Sequence, residues 1–255
     1  MINKKIRLIE LFGGVGTQAM ALHDLAVTNG LKPEDVFEHY KLVELDKYPV
    51  KSYNAVHGTN FEPMDITEIT GKDLKIIDKD QYIYLVTYSF PCTDLSLAGK
   101  QKGMERGSGT SSSLLWEVER LLNELDEENA LPQYLCMENV TQVHGKKNLP
   151  NFEEWIRFLE SKGYHNYWQD LEASQYGIPQ HRNRTFMISS LEKINYEFPR
   201  TIPLNKIMRD MLDEHVDEKF YISNEKADAL IKKLIDDGKL DEENVIDSSE
   251  IKKNN

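Results

Sequence analysis

The chain has 255 residues, 40% apolar and 29% charged, enough for one large domain with its own core and unlike a disordered segment. No run of about 18 apolar residues is present, so no membrane span is expected, and the opening "MINKKIRLIELF" lacks a signal peptide's apolar stretch and cleavage site. Two cysteines argue against a disulfide scaffold, and a net charge of -12 argues against a uniformly basic nucleic-acid binder.

Residues 6–12, "IRLIELF", read as a buried strand, and "GTQAMALHDLAV" as the helix that follows. "YKLVEL" (40–45) reads as a second strand, followed by a helix near "KYPVKSYNAVHG". The β-branched and aromatic run "YIYLVTYSF" (82–90) predicts a central strand. In "SLLWEVERLLNELDEE", Leu114, Leu115, Val118, Leu121, Leu122 and Leu125 share one helix face. "QYLCMENV" (133–140) is a further strand, "NFEEWIRFLESKG" a helix closed by Gly163, and "YHNYWQDLEAS" and "RTFMISSL" finish the sheet as an antiparallel pair. The alternation predicts an α/β fold, a Rossmann-like, doubly wound and mostly parallel sheet with an antiparallel edge pair. The expected organisation is a catalytic, cofactor-binding domain over 1–200, a lead-in segment over 201–235 and a charged, flexible tail over 236–255.

Four places carry chemistry. In "LFGGVGTQA" a strand enters a glycine-rich turn and then a helix. Gly14, Gly16 and Ala19 meet the G-x-G-x-x-G/A spacing that lets backbone approach a ligand at a helix N-terminus. Glu44, closing the second strand, suits ribose hydroxyls, and Asp65 in "MDIT" suits an adenine amino group, so an adenosine-type site is expected, with NAD and S-adenosylmethionine both open at this point. Second, Cys92 in "YSFPCTDLSLAGKQKG" follows a strand's carboxyl end, after Pro91 and before a loop rich in glycine and serine that suits closure over a substrate. A free cysteine is more often a small buried hydrophobe; that reading is favoured for Cys136, inside "YLCMEN", and a nucleophile for Cys92. Third, Glu138 and Asn139 of "MENV" end the next strand, where a carboxylic acid beside a thiolate makes a general acid. Fourth, Arg182 and Arg184 in "QHRNR" stand two apart on an incipient strand and share a face. Basic residues also gather in "GKQKGMER" and "HGKKN", whereas residues 213–255 carry half the net negative charge, with 13 acidic and 7 basic side chains.

Taken in this order, "FGGVG", "ELDKY", "DIT", "SFPCTDLSLAGKQKG", "LLWEVERLL", "MENV" and "QHRNR" resemble the cytosine carbon-5 DNA methyltransferases over roughly residues 6–191. The resemblance implies S-adenosylmethionine as methyl donor, with S-adenosylhomocysteine as product, and a cytosine flipped out of double-stranded DNA. It also implies Cys92 attacking ring carbon 6, Glu138 holding or protonating ring nitrogen 3, Arg184 on the carbonyl oxygen and Arg182 in support. On the same resemblance Phe12 is expected to stack on adenine, with Gly13, Gly14, Gly16, Thr17, Glu44, Leu45, Asp65, Ile66 and Pro91 completing the cofactor site. Ser96, Asn139 and Gln180 are expected to face the nucleic acid, and no metal is expected. Thr93 and Leu45 depart from the family pattern, which usually has glutamine after the cysteine and often an aromatic after the glutamate. A recognition domain and a returning asparagine-bearing segment are not found in the sequence, so the expectation is either a catalytic subunit with a second chain carrying recognition or a truncated form. A tRNA cytosine methyltransferase and a non-catalytic cofactor-binding remnant stand as alternatives. The expected location is the cytoplasm of a bacterium or the host of a phage.

Overall fold

The computed structural model describes residues 4–95 and 102–240, and divides into two compact units, Met1–Lys206 and Ile207–Asn255. The first holds a six-stranded sheet made of β1 (Lys5–Leu11), β2 (Phe37–Val43), β3 (Tyr82–Tyr88), β4 (Tyr134–Val140), β5 (His165–Glu172) and β6 (Asn183–Ser190), in the order β2-β1-β3-β4-β6-β5. The first four strands run parallel, and β6 inserts antiparallel between β4 and β5. This is the doubly wound sheet with an antiparallel edge pair that the sequence predicts. β2 begins three residues before the predicted stretch, because parallel pairing with β1 extends it through "FEH", where the buried Phe37 is followed by the polar Glu38 and His39.

Helices cover both faces of the sheet, as parallel strands require. On one face lie α1 (Thr17–Thr28), the short α2 (Pro33–Val36) and α3 (Lys47–His57), against Leu8, Phe37 and Leu42. On the other, α4 (Leu115–Glu127) and α5 (Leu149–Ser161) pack on Ile9, Leu11, Val86 and Tyr88. α4 forms where its leucines recur at helical spacing, and all but Leu114 of the predicted face are fully buried, joined by Trp116. Burying each such side chain contributes about 1.5–3 kcal/mol, so this face and the Trp155 face of α5 hold the main core. Gly163, at φ +88, ends α5's segment as predicted.

In the second unit, two short 3-10 turns precede α6 (Asn224–Asp236), whose Ala227, Ile231, Leu234 and Ile235 are half-buried while its other side chains are exposed. The tail expected from residue 236 starts at the end of α6, and from 241 onward it lies outside the described residues. Among the described residues, no helix is long and apolar enough to cross a membrane.

Candidate active site

Strand register builds the site. Leu11 of β1 pairs with Tyr88 of β3, which pairs with Met137 of β4. The next residue along each chain is therefore Phe12, Ser89 and Glu138, and these three stand as one row at the carboxyl ends of the parallel strands. The connection of β1 leads to β2 on one side, whereas β3 leads to β4 on the other, so the row straddles the switch point where open α/β sheets take ligands. Two cavities adjoin there. The larger, about 740 Å3, is lined by Phe12, Gly13, Gly14, Thr17, Ser89, Glu138, Arg182 and Arg184 among others. The smaller, about 370 Å3, is lined by Glu44, Leu45, Asp65, Ile66 and Pro91 among others. Phe12 and Ser89 belong to both walls.

Phe12 holds its place at a cost. Its φ of 57 lies in the left-handed region, which a bulky side chain avoids. Strain of this kind costs about 1–3 kcal/mol and persists only where the surroundings impose it; here the Phe12 N–H donates to Val43 O at 2.7 Å and the ring packs on the main core. The turn beyond is closed by Gly16 N–H donating to Gly13 O at 2.9 Å. Glu44 ties it to β2 by accepting from Gly14 N at 3.1 Å, while its other oxygen accepts from Asp46 N at 3.0 Å. Asp65 Oδ1 accepts from the Thr67 N–H and hydroxyl, leaving Oδ2 with no donor among the described residues. Leu45, 66% exposed, forms an apolar lip of the smaller cavity.

The turn carrying Cys92 is fastened at three successive carbonyls. Asn139 Nδ2 donates to Phe90 O at 2.9 Å, Ser112 Oγ to Pro91 O at 2.6 Å, and Leu95 N to Cys92 O at 3.0 Å. The thiol is half-buried against the edge of the core. Asp94 accepts from the backbone and hydroxyl of Ser111, which closes the base of the long loop and holds its carboxyl below the usual range. Across the sheet, Glu138 Oε1 lies 3.1 Å from Arg184 Nε and 4.0 Å from Arg182 Nη2. Arg184 pairs with Val140 across β4 and β6, so its side chain meets Glu138 diagonally.

The sequence-predicted residues divide accordingly. Phe12, Gly13, Gly14, Thr17, Glu44, Leu45, Asp65, Ile66, Pro91, Glu138, Arg182 and Arg184 line one cavity or the other. Gly16 lies beneath the turn, and Cys92 sits on the turn that follows Ser89 without being among the residues that line either cavity. Gln180 is exposed and away from both cavity walls. Asn139, expected at the substrate, corrects to another role: it is 2% exposed, and with Nδ2 on Phe90 O and Oδ1 accepting from Val140 N at 2.8 Å its amide is engaged by backbone. Ser96, with the segment 96–101 of the loop, lies outside the described residues. Ser89 and Gln18, joined by a 3.1 Å hydrogen bond, and Tyr176 and Phe186 also line the larger cavity and had not been singled out. Ser89 could have been found, since it stands in the quoted "YSFPC" one row above Tyr88.

A family model described as C-5 cytosine-specific DNA methylase matches residues 6–254. The chain belongs to this family. Among similar proteins is the type II methyltransferase M2.ScrFI of Lactococcus lactis subsp. cremoris, 44% identical over 164 residues, covering 64% of this chain and 42% of that protein. The orphan methyltransferase M.SssI of Spiroplasma monobiae is 35% identical over 271 residues, covering 87% of this chain and 68% of that one. The chain thus spans less than half of the first relative's length and about two thirds of the second's. Among solved structures, the methyltransferase EhMeth of Entamoeba histolytica superposes with a TM-score of 0.68 at 19% identity, over 90% of this chain and 66% of that one. That likeness bears on the fold alone. Membership of the methylase family implies use of S-adenosylmethionine. The comparisons lend no support to a second, recognition-bearing chain.

One further group of this chain sits under the site. Glu10 of β1 is wholly buried, with Oε2 accepting from Tyr53 Oη at 2.5 Å and Oε1 unpartnered. Burial pushes its carboxyl up to about 7, opposed by the Tyr53 hydrogen bond and the Ala19 N–H. Its folded value lies above its unfolded one, so its contribution to stability is complete at low pH and is lost as pH rises from about 4.5 through 7. His39 acts in the opposite sense: burial lowers its imidazole to about 4, so stability falls as pH drops from about 6.5 towards 4.

Two outcomes are expected. Stability measured by denaturant between pH 4.5 and 8 falls in the wild type relative to Glu10→Gln, the two differing in slope by an amount on the order of 3 kcal/mol across the range; parallel profiles would refute a neutral buried carboxyl. Asn139→Ala leaves the Phe90 carbonyl and the Val140 amide without their partner and lowers stability by about 1–3 kcal/mol, read as a shift in denaturation midpoint.

Proposed function

We propose that this chain transfers a methyl group from S-adenosylmethionine to carbon 5 of a cytosine flipped out of double-stranded DNA, through a covalent bond to Cys92. The observation that carries the reading is the pair of adjoining cavities sharing Phe12 and Ser89, one walled by carboxylates suited to an adenosine, the other by Glu138 with two arginines. Family membership supports the reaction class.

The cofactor fits the smaller cavity and the turn beside it. The open Oδ2 of Asp65 can accept from an amino group, Glu44 retains lone pairs for hydroxyls beyond the two amides it accepts, and the Phe12 ring offers a stacking face. When bound, S-adenosylmethionine supplies an electrophilic methyl carbon. The chain's residues do the rest. Glu138 gives or shares a proton at ring nitrogen 3, which draws electrons from carbon 6. Cys92, as thiolate, forms a bond to carbon 6, and the displaced electron pair makes carbon 5 nucleophilic. Carbon 5 then gains the methyl, leaving S-adenosylhomocysteine; its proton passes to water, and the bond from carbon 6 to the Cys92 sulfur breaks, which restores the ring and returns the thiolate. Arg184, already oriented by Glu138, donates to the cytosine carbonyl oxygen, and the more exposed Arg182 supports the same carboxylate or a phosphate. Asn139 and Ser112 keep the Cys92 turn fixed while this happens.

A duplex carrying 5-fluorocytosine, incubated with the chain and S-adenosylmethionine, is expected to give a denaturant-stable adduct at Cys92, because fluorine on carbon 5 cannot leave as a proton. Cys92→Ala abolishes the adduct, tRNA does not replace the duplex, and the absence of any adduct with the wild type would end this reading. Phe12→Ala weakens S-adenosylmethionine about tenfold in calorimetry, as expected for loss of an aromatic face against a base, with no loss of fold.

A further inference from the structure

The glycine-rich turn is held from two sides. Glu44 holds it on the cavity side through Gly14 N. On the other side, His57 Nε2 lies 3.1 Å from the carbonyl oxygen of Val15, at the tip of the turn, so the imidazole donates there with its proton on Nε2. His57 is the last residue of α3, and Gly58 in the left-handed region ends the helix directly behind it. Gly16, at φ +81, presses on the same surface: a Cβ there would strike His57 Nε2 and come within 2.5 Å of Tyr53 Cε2. The His57 ring in turn packs on Tyr53 and His39, with centroids 4.4 and 4.8 Å away.

Tyr53 is anchored in its turn. Its hydroxyl donates to Glu10 Oε2 and lies 2.8 Å from His39 Nδ1, so β1, β2 and α3 meet in one buried chain of hydrogen bonds beneath the turn. The surface under Val15 and Gly16 is therefore rigid at its base and ends in a single exposed-side donor. Nothing in the methyl-transfer chemistry uses His57, and it lines neither cavity.

We propose that His57, backed by Tyr53, is a positioning residue for cofactor binding: its hydrogen bond to the Val15 carbonyl holds the glycine-rich turn in the conformation that accepts S-adenosylmethionine. The inference rests on the reading of that turn as the cofactor's cradle. It places His57 in ground-state binding of the cofactor and outside the chemical step, so its loss raises the KM for S-adenosylmethionine and leaves kcat unchanged.

Two variants separate the hydrogen bond from ring packing. His57→Phe keeps the aromatic contact with Tyr53 and removes the donor; His57→Gln keeps a donor at about the same reach and removes the ring. Binding of S-adenosylhomocysteine by calorimetry, with ligand-free melting curves alongside, is expected to be about three- to tenfold weaker in His57→Phe, the range of one lost neutral hydrogen bond, and within about twofold of wild type in His57→Gln. The ligand-free melting temperature of His57→Phe stays near that of the wild type. If the wild type binds and His57→Phe binds equally well, or the order of the two variants is reversed, the inference is overturned and the cofactor reading stands. If the wild type does not bind the ligand, the cofactor reading falls and the inference falls with it.

Discussion

The register of β1, β3 and β4 is the constraint from which the site follows. Because Leu11, Tyr88 and Met137 lie abreast, one step further along each chain sets an aromatic ring, a hydroxyl and a carboxylate in a single row at the mouth of the sheet. A slip of one residue in any of these pairings would turn that strand's side chains to the opposite face. It would bury Glu138 against the helices and lift Met137 into the cavity. The register is protected by the core itself: Leu11, Tyr88 and Met137 are all fully buried among the side chains of α4 and α5. The same packing that stabilises the fold therefore places the chemistry.

Around that row the polar groups are fixed before any ligand arrives. The carbonyls of Phe90, Pro91 and Cys92 each have a donor, Arg184 is already aligned on Glu138, and Phe12 is kept in a backbone conformation it would not choose alone. Each of these fixtures removes conformational freedom that binding would otherwise have to remove, which favours both affinity and correct geometry at the reacting atoms. The strain at Phe12 is consistent with this: the about 1–3 kcal/mol it costs is sustained by a core that is otherwise well packed and by the hydrogen bond from its own N–H to Val43.

Much of this was legible in the chain because the signals were local. A strand running into glycines, a Pro-Cys after an aromatic β run, and arginines two apart each span no more than about a dozen residues, so each can be read from its own stretch of chain. Asn139 misled because its neighbour Glu138 does face the cavity, and alternation along a strand sends the next side chain inward, where its amide found backbone partners. β6 between β4 and β5 could not be read, since strand order is a property of pairing and not of either sequence. Nor could the Glu10–Tyr53–His39 chain and the contact from His57 to Val15: their members are up to 47 residues apart in sequence, between Glu10 and His57, and each alone reads as an ordinary core or surface residue.

Charge sets the remaining condition. A duplex presents a dense line of phosphates, and each one neutralised by a side chain contributes about one unit to the salt dependence of binding. Several cations have carboxylate partners within the protein: Arg184 and the more exposed Arg182 lie beside Glu138, and the exposed Arg106 lies over Trp116 while pairing with Glu119 and Glu154. Arg120 is likewise held by Glu117 and Glu124 on α4. Their charge shapes the pocket and the loop base and is largely compensated within the protein. Long-range attraction of a duplex would therefore be weak for a chain of net charge -12, and the contribution to specificity falls on what a base meets after it has left the stack. That division suits the geometry: the groups that would read a cytosine are preorganised and internally paired, and exchange one partner for another as the base enters, so that little charge need be desolvated anew.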